Sequence, residues 1–260
     1  LDDQDAVQVL VGPMVHEQVG NPRRHRQVAP FHDGNAAGIG LVDNGRRYQL
    51  ENGAIAGQRR FVNDADRYLK IQETLRGAVT GHPLRRLGLS PHSLRAVTAE
   101  LLNEVLAGID TVAPVHIHVA EQTKEVDDCV AWSGRRPVEL MLDSFEVSSR
   151  WTAIHATHLT QDETDRMAKA GVIAGLCPTT EANLGDGTFN APQFIEAGGR
   201  FGIGSDSNVL VGLPDELRQL EYSQRLHHRL RNVLAAPGAS TGRNLFERAA
   251  RGGANALGVS

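Results

Sequence analysis

The sequence predicts an α/β protein built on a parallel sheet, laid out as repeats of a barrel with outer helices. Three observations carry this expectation. Short apolar runs that end in polar residues alternate with amphipathic stretches of ten or more residues, and strands separated by helices pair in parallel because parallel neighbours need a crossover. The last third of the chain reads as nearly all helix. No GxGxxG follows a strand, and GIGSDS at 202–207 places Asp206 where a phosphate loop takes glycine or lysine, which argues against a doubly wound nucleotide-binding sheet.

In chain order, AGIGLV (37–42) reads as an early strand and VNDADRYLKIQETLRGAV (62–79) as a helix, with RRLGLSPHSLRAV (85–97) as the next strand and its end. A helix is expected from Thr98 to Leu106. PVHIHVAE (114–121) is a strand run, followed by an acidic helical stretch and by RPVELMLDSF (136–145), whose Val138, Leu142 and Phe145 share one helical stripe. WTAIHATHL (151–159) is a further run. Thr160 stands three residues before Glu163, a capping box opening a helix that runs to about Ala170 and stops at Gly171. VIAGLCP (172–178) and GRFGIGSDS (199–207) are two more strands, the second preceded by the helical PQFIEAGG. PDELRQLEYSQRLHHRLRNVL and STGRNLFERAARGGANALG complete the helical end. The segment from Leu10 to Gly57 is glycine-rich and weakly periodic, and supports no assignment.

Composition excludes several classes. A chain of 260 residues with 40% hydrophobic residues has enough apolar surface for a large core, so it is neither disordered nor fibrous. The net charge of -4 contains no long like-charge block, so no nucleic-acid partner is expected. PRRHR (22–26) is short, lacks interleaved aromatics and reads as a solvated loop. No stretch approaches the roughly 18–20 apolar residues of a membrane span. Two cysteines, Cys129 and Cys177, fit a reducing, cytoplasmic setting. Because the chain starts at Leu1, it is expected to be part of a longer sequence.

In a parallel barrel the C-terminal strand ends converge, so polar groups far apart in sequence can share one site. His116 and His118 lie on one strand face, and Glu121 follows just past the end. His155 and His158 are three apart, so only one would point inward; His155 is nearer the apolar run. Asp206 ends a strand directly, which is expensive for a carboxylate unless it is paired, metal-bound or used as an N-cap. His118, Glu121, His155 and Asp206 together are the parts of a metal hydrolase. Histidine and aspartate suit Zn²⁺, and a nearby carboxylate can carry the proton of a metal-activated water. His92 and Arg95 form another strand end. Arg95 is suited either to a substrate carboxylate or to an ion pair with a neighbouring helix. CPTTEANLGDGTFNA (177–191) reads as a polar, glycine-bearing loop, of the active-site or the structural kind.

HIHVAEQTKEVDDCVAWSGRRPVE, IHATHLT, GLCPTTEANLGDG, GIGSDSNV and DELRQLEYSQRL resemble the formimidoylglutamate deiminases of the amidohydrolase superfamily, over roughly residues 81–258. Upstream the resemblance thins to GQRRFVNDADRYL (57–69) and AGIGL (37–41). It implies a (β/α)8 barrel of the metal-dependent hydrolase type, and a cytoplasmic homodimer with one Zn²⁺ per subunit, Fe²⁺ or another divalent ion being an alternative. The implied reaction converts N-formimino-L-glutamate and water into N-formyl-L-glutamate and ammonia. By the resemblance, His118 is a metal ligand on the fifth barrel strand. Asp206 is a ligand on the eighth that also helps deprotonate water. Glu121 moves protons, His155 orients the hydroxide, and His92 and Arg95 contact an acidic substrate. The rival expectations are an amidohydrolase acting on an aminopurine, guanidine or triazine, and a barrel without metal or catalysis.

The family's metal site also takes an HxH pair from the first barrel strand. The one HxH in this chain is His116-Ile117-His118, already assigned to the fifth. Residues 1–258 are therefore expected to form an amidohydrolase barrel incomplete at its N-terminus, without the first strand and the small β domain.

Overall fold

A computed structural model describes residues 40–41, 62–81 and 85–259. The strands are β1 (Gly40–Leu41), β2 (Ser90–Pro91), β3 (Val115–Val119), β4 (Trp151–His155), β5 (Ile173–Leu176) and β6 (Arg200–Ile203). The helices are α1 (Ala65–Val79), α2 (Ala99–Gly108), α3 (Thr123–Ser133), α4 (Pro137–Ser144), α5 (Gln161–Lys169), α6 (Pro178–Leu184), α7 (Ala191–Glu196), α8 (Leu213–His228) and α9 (Thr241–Ala256). Among the described residues no helix is long and apolar enough to cross a membrane.

Every strand runs parallel to its neighbour and lies beside its predecessor in the chain. β1 pairs with β2, and β3, β4, β5 and β6 pair in that order. Parallel bridges Leu89↔Val115 and Ser93↔His118 join the segment around β2 to β3. A doubly wound sheet reverses its order at a switch point. Among the described residues the order never reverses, which is the arrangement of a (β/α)8 barrel.

Register fixes which side chains share a face, because partnered residues in a parallel ladder point the same way and alternate residues point oppositely. His116, Thr152, Ile173 and Arg200 form one row, and His118, Ile154, Gly175 and Gly202 the next. On the other face Ile117, Ala153, Ala174 and Phe201 join a single core cluster with Val126 of α3, Val138 and Met141 of α4, Met167 of α5 and Phe194 of α7. β4 and β5 are buried on both faces and read as nearly continuous apolar runs, whereas β3 alternates valine and isoleucine with His116 and His118. Burial of each large side chain, such as Trp151 or Phe194, contributes about 1.5–3 kcal/mol.

Local sequence sets the helix ends. Thr160 and Glu163 form the expected capping box at α5, and Gly171 takes φ +76° just beyond it. Asp64 and Thr98 cap α1 and α2 by accepting from the N–H groups of Arg67 and Leu101. Arg136 ties α4 to α5, donating from Nε to Glu163 at 2.7 Å and from Nη2 to the carbonyl of His158 at 2.7 Å.

α9 lies against the Arg200/Gly202 face of β6. Arg200 Nη1 donates to Asn255 Oδ1 at 2.9 Å, and His116 Nε2 donates to the carbonyl of Ala256 at 2.8 Å. The approach is tight because Gly252 meets the β6 backbone directly: a Cβ there would stand 1.8 Å from the carbonyl oxygen of Phe201.

One expectation is corrected. Residues 177–191 are not a continuous loop, since 178–184 form α6 and Ala191 opens α7. Pro178 presets the first turn of α6 and Gly185, at φ +72°, ends it. The PRRHR segment lies outside the described residues, as does the stretch from Leu10 to Gly57 apart from Gly40–Leu41, so the strand expected at 37–42 is described only there.

Candidate active site

The candidate side chains stand at the C-terminal strand ends, where the backbone is strained. Ala120 after β3, His155 and Ala156 at the end of β4, and Asp206 after β6 all adopt left-handed backbone, with φ of 52°, 64°, 47° and 51°. For residues with a Cβ this costs on the order of 1 kcal/mol each, and such strain clusters where function requires it. It also answers a question of parity. Val119 pairs with His155, so alternation alone would put His155 on the face opposite His118. The left-handed residues 155 and 156 turn the chain out of the pleat, and the two imidazoles end with centroids 5.7 Å apart.

His118 is held by the carbonyl of His92, which accepts from its ring Nδ1 at 2.7 Å and from its backbone N–H at 3.1 Å. A carbonyl only accepts, so Nδ1 carries the proton and Nε2 the lone pair, the tautomer of a metal-ligating histidine. Burial pushes the His118 pKa down, helped by the neighbouring His155, and so favours the neutral ring. His116 is different. Its ring is committed to Ala256, and burial lowers its pKa to about 4, so it joins sheet to α9 rather than entering the site.

Glu121 is buried between opposite charges. One oxygen lies 3.8 Å from His155 Nε2 and the other 3.5 Å from Arg95 Nη2. Glu125 of α3 fixes this turn by accepting from the N–H groups of Ala120 and Glu121 at 3.1 and 2.9 Å. Arg95 also reaches Glu125, from Nε at 3.8 Å. Of the two readings open for Arg95, the ion pair is the one formed here: burial raises the Glu125 pKa, and the Arg95 charge opposes that rise. His92 sits beside His118, with ring centroids 5.2 Å apart and Nδ1 3.0 Å from Ser93 Oγ.

His155 is almost fully enclosed, at 1% exposure. Burial alone would hold it neutral. The hydrogen bond to Glu181, with the charges of Glu181, Glu121 and Asp206, overcomes that penalty and raises its pKa to about 9. Asp206 acts electrostatically on both His118 and His155, while its Oδ1 accepts from the N–H of Ser207 at 2.7 Å. The structure thus brings together His118, Glu121, His155 and Asp206, with His92 and Arg95 at the rim. The carbonyl of His158 accepts from Arg136, and its ring lies beside Gly187.

Sequence reasoning missed three carboxylates around this centre. Glu181 Oε1 accepts from His155 Nδ1 at 3.3 Å and from the N–H of Cys177 at 2.8 Å. Burial raises the Asp186 pKa, and the charge of Glu121 raises it further. Burial brings Glu216, which accepts from the N–H of Thr179 at 2.8 Å, to about 7. For Glu181 and Asp186 the available signal was acid placed close behind the apolar run VIAGLC; Glu216, on α8, carried no such signal.

Nitrogen from His118 and oxygen from Asp206 are donor types that zinc takes. Among the described residues no group of three or more His, Cys, Asp and Glu side chains could hold a metal ion. These residues therefore fit part of a metal site and do not complete one.

The sequence model of the amidohydrolase family matches residues 53–260. The chain belongs to the amidohydrolase family. A formimidoylglutamate deiminase from Pseudomonas aeruginosa is 49% identical over 231 residues, 86% of this chain and 50% of that one. The crystal structure of an amidohydrolase from Brucella melitensis matches with a TM-score of 0.80 at 58% identity, over 85% of this chain and 49% of the other. An adenosine deaminase from Xanthomonas campestris with bound zinc matches with a TM-score of 0.69 at 24% identity, over 84% of this chain and 53% of the other, and shares the fold. The chain spans about half the length of the curated relatives it matches. Its fold is the α/β amidohydrolase type, and the strained strand ends are where an amidohydrolase barrel carries its chemistry.

Proposed function

We propose that these residues form the later part of a barrel that hydrolyses the formimino group of N-formimino-L-glutamate, giving N-formyl-L-glutamate and ammonia. The observation that carries the chemistry is the Glu121 carboxylate lying between the His155 ring and the Arg95 guanidinium at the converging strand ends. The choice of substrate rests on the 49% identity to the Pseudomonas aeruginosa deiminase.

Water adds to the formimino carbon and the bond from that carbon to the terminal nitrogen breaks. Glu121 takes a proton from the water and gives it to the imino nitrogen, and the hydroxyl proton follows by the same carboxylate to the departing ammonia. Asp206 is the second base beside the attacking oxygen. His155, protonated between Glu181 and Glu121, stabilises negative charge developing on that oxygen. Arg95 stays on Glu125 and exchanges Glu121 for a substrate carboxylate, with His92 beside it. His118 and Asp206 would hold a divalent metal, zinc in first place and iron(II) as the alternative, with further donors from outside the described residues. When bound, the metal lowers the pKa of water so that hydroxide forms near neutral pH.

The acting species is a cytoplasmic homodimer taking a small acidic substrate. The two buried thiols, Cys129 and Cys177, suit a reducing compartment. The test is bound metal and ammonia release by the full-length protein and by its Glu121→Gln variant. About one metal per chain, with ammonia release that falls about 10²–10⁴-fold in the variant, supports the reading. Metal without ammonia moves the substrate to another amidine or aminoheterocycle, and neither signal removes the catalytic reading.

A further inference from the structure

We infer that Glu181 is a positioning residue that orients the His155 ring toward Glu121 by accepting a hydrogen bond from its Nδ1. The inference rests on the hydrolase reading of the site, but it concerns a residue outside the set above that touches the reacting atoms.

His155 leaves β4 through two consecutive left-handed residues, so the pleat does not dictate its side-chain direction. Its ring is held at both nitrogens by carboxylates from different elements: Nδ1 is 3.3 Å from Glu181 Oε1 and Nε2 is 3.8 Å from Glu121 Oε1. Of the two, Glu181 is the fixed one. Its Oε1 also accepts from the N–H of Cys177 at 2.8 Å, which locks the carboxylate to the first turn of α6. Its helix is anchored in turn, as the N–H of Thr179 donates to Glu216 at 2.8 Å and Thr180 Oγ1 to the carbonyl of Ser205 at 3.3 Å. Glu181 is buried, so water does not compete for Nδ1. Glu121, by contrast, must be able to swing if it carries protons. A ring pinned at Nδ1 presents Nε2 in one direction while its other partner moves, an arrangement in which the fixed carboxylate serves geometry.

The test uses the full-length protein and two variants. Glu181→Gln keeps an oxygen that can accept from both Nδ1 and Cys177, and Glu181→Leu keeps the volume without an acceptor. Nitrogen NMR on protein carrying ¹⁵N-histidine, with the His155 signal identified by its loss in His155→Asn, reads the Nδ1 hydrogen bond without reference to turnover. The bonded signal is expected in the parent and in Glu181→Gln, and is lost in Glu181→Leu. In steady-state ammonia release, kcat of Glu181→Leu falls about 10²-fold with KM within about twofold, and Glu181→Gln, which keeps the acceptor and loses the charge, falls clearly less. An unchanged His155 signal in Glu181→Leu overturns the inference, as does a Glu181→Gln variant that loses as much kcat as Glu181→Leu. If the parent releases no ammonia, the deiminase reading falls, and the NMR comparison still decides the role of Glu181.

Discussion

Replacing Gly252 with alanine should loosen the protein far more than its chemistry suggests. In an exposed helix the change gains about 0.5–1 kcal/mol from reduced backbone entropy. At Gly252 the added Cβ would lie 1.8 Å from the carbonyl oxygen of Phe201, 2.4 Å from its carbon and 3.1 Å from the nitrogen of Gly202. All three are backbone atoms of a strand paired with β5, so no side chain can rotate aside. α9 must lift by on the order of 1 Å, which weakens its packing on β6 and strains the contacts of Asn255 with Arg200 and Ala256 with His116. Overpacking of this kind costs about 1–3 kcal/mol. At roughly 2–4 °C per kcal/mol for a domain of this size, the melting temperature should fall by roughly 2–12 °C. Gly242, in the first turn of the same helix, has nothing within 4 Å of its would-be Cβ, so Gly242→Ala should be neutral or slightly stabilising. Thermal melts of the two variants beside the parent make the comparison. Equal melting temperatures for Gly252→Ala and the parent would refute the seating of α9 on the sheet.

Two other perturbations test the scaffold around the site. Arg136→Met removes the donors to Glu163 and to the carbonyl of His158 and should cost about 1–3 kcal/mol, read as a lower urea midpoint at unchanged slope; an unchanged midpoint would mean that the pair contributes nothing net. Burial raises the Glu216 pKa from 4.5 to about 7. The folded chain therefore holds this proton more tightly than the unfolded chain does. The contribution of Glu216 to stability is fully present below about pH 4.5 and is lost as the pH rises through about 7. Urea midpoints measured across that window should fall more steeply in the parent than in Glu216→Gln, and parallel profiles would contradict the raised pKa.

The strands β4 and β5 were legible as short apolar runs, WTAIH ending at a polar residue, and β3 as an apolar run interrupted only by His116 and His118. The α5 boundary was legible because Thr160 and Glu163 supply a local, reciprocal signal. His118, Glu121, His155 and Asp206 stood out for the same reason: each is a costly group placed where an apolar strand ends. Partners distant in sequence were not legible. Arg95 meets Glu121 and Glu125 only once the strand ends converge. Glu181 was hidden in a segment whose Gly185 and Gly187 suggested a loop, although Pro178 and Gly185 are equally the start and stop of a short helix. His116 is spaced like a ligand, and only the tertiary contact with Ala256 reveals its structural role.

The strands divide their labour by end. His118, Glu121, His155 and Asp206 stand at or just beyond the C-terminal ends of β3, β4 and β6, whereas Arg200, the first residue of β6, meets Asn255, and His116, near the start of β3, meets Ala256. Segments that follow the strands can exchange residues, and with them substrates, while the seat of α9 stays intact. A lineage built this way can explore new reactions without renegotiating how it folds.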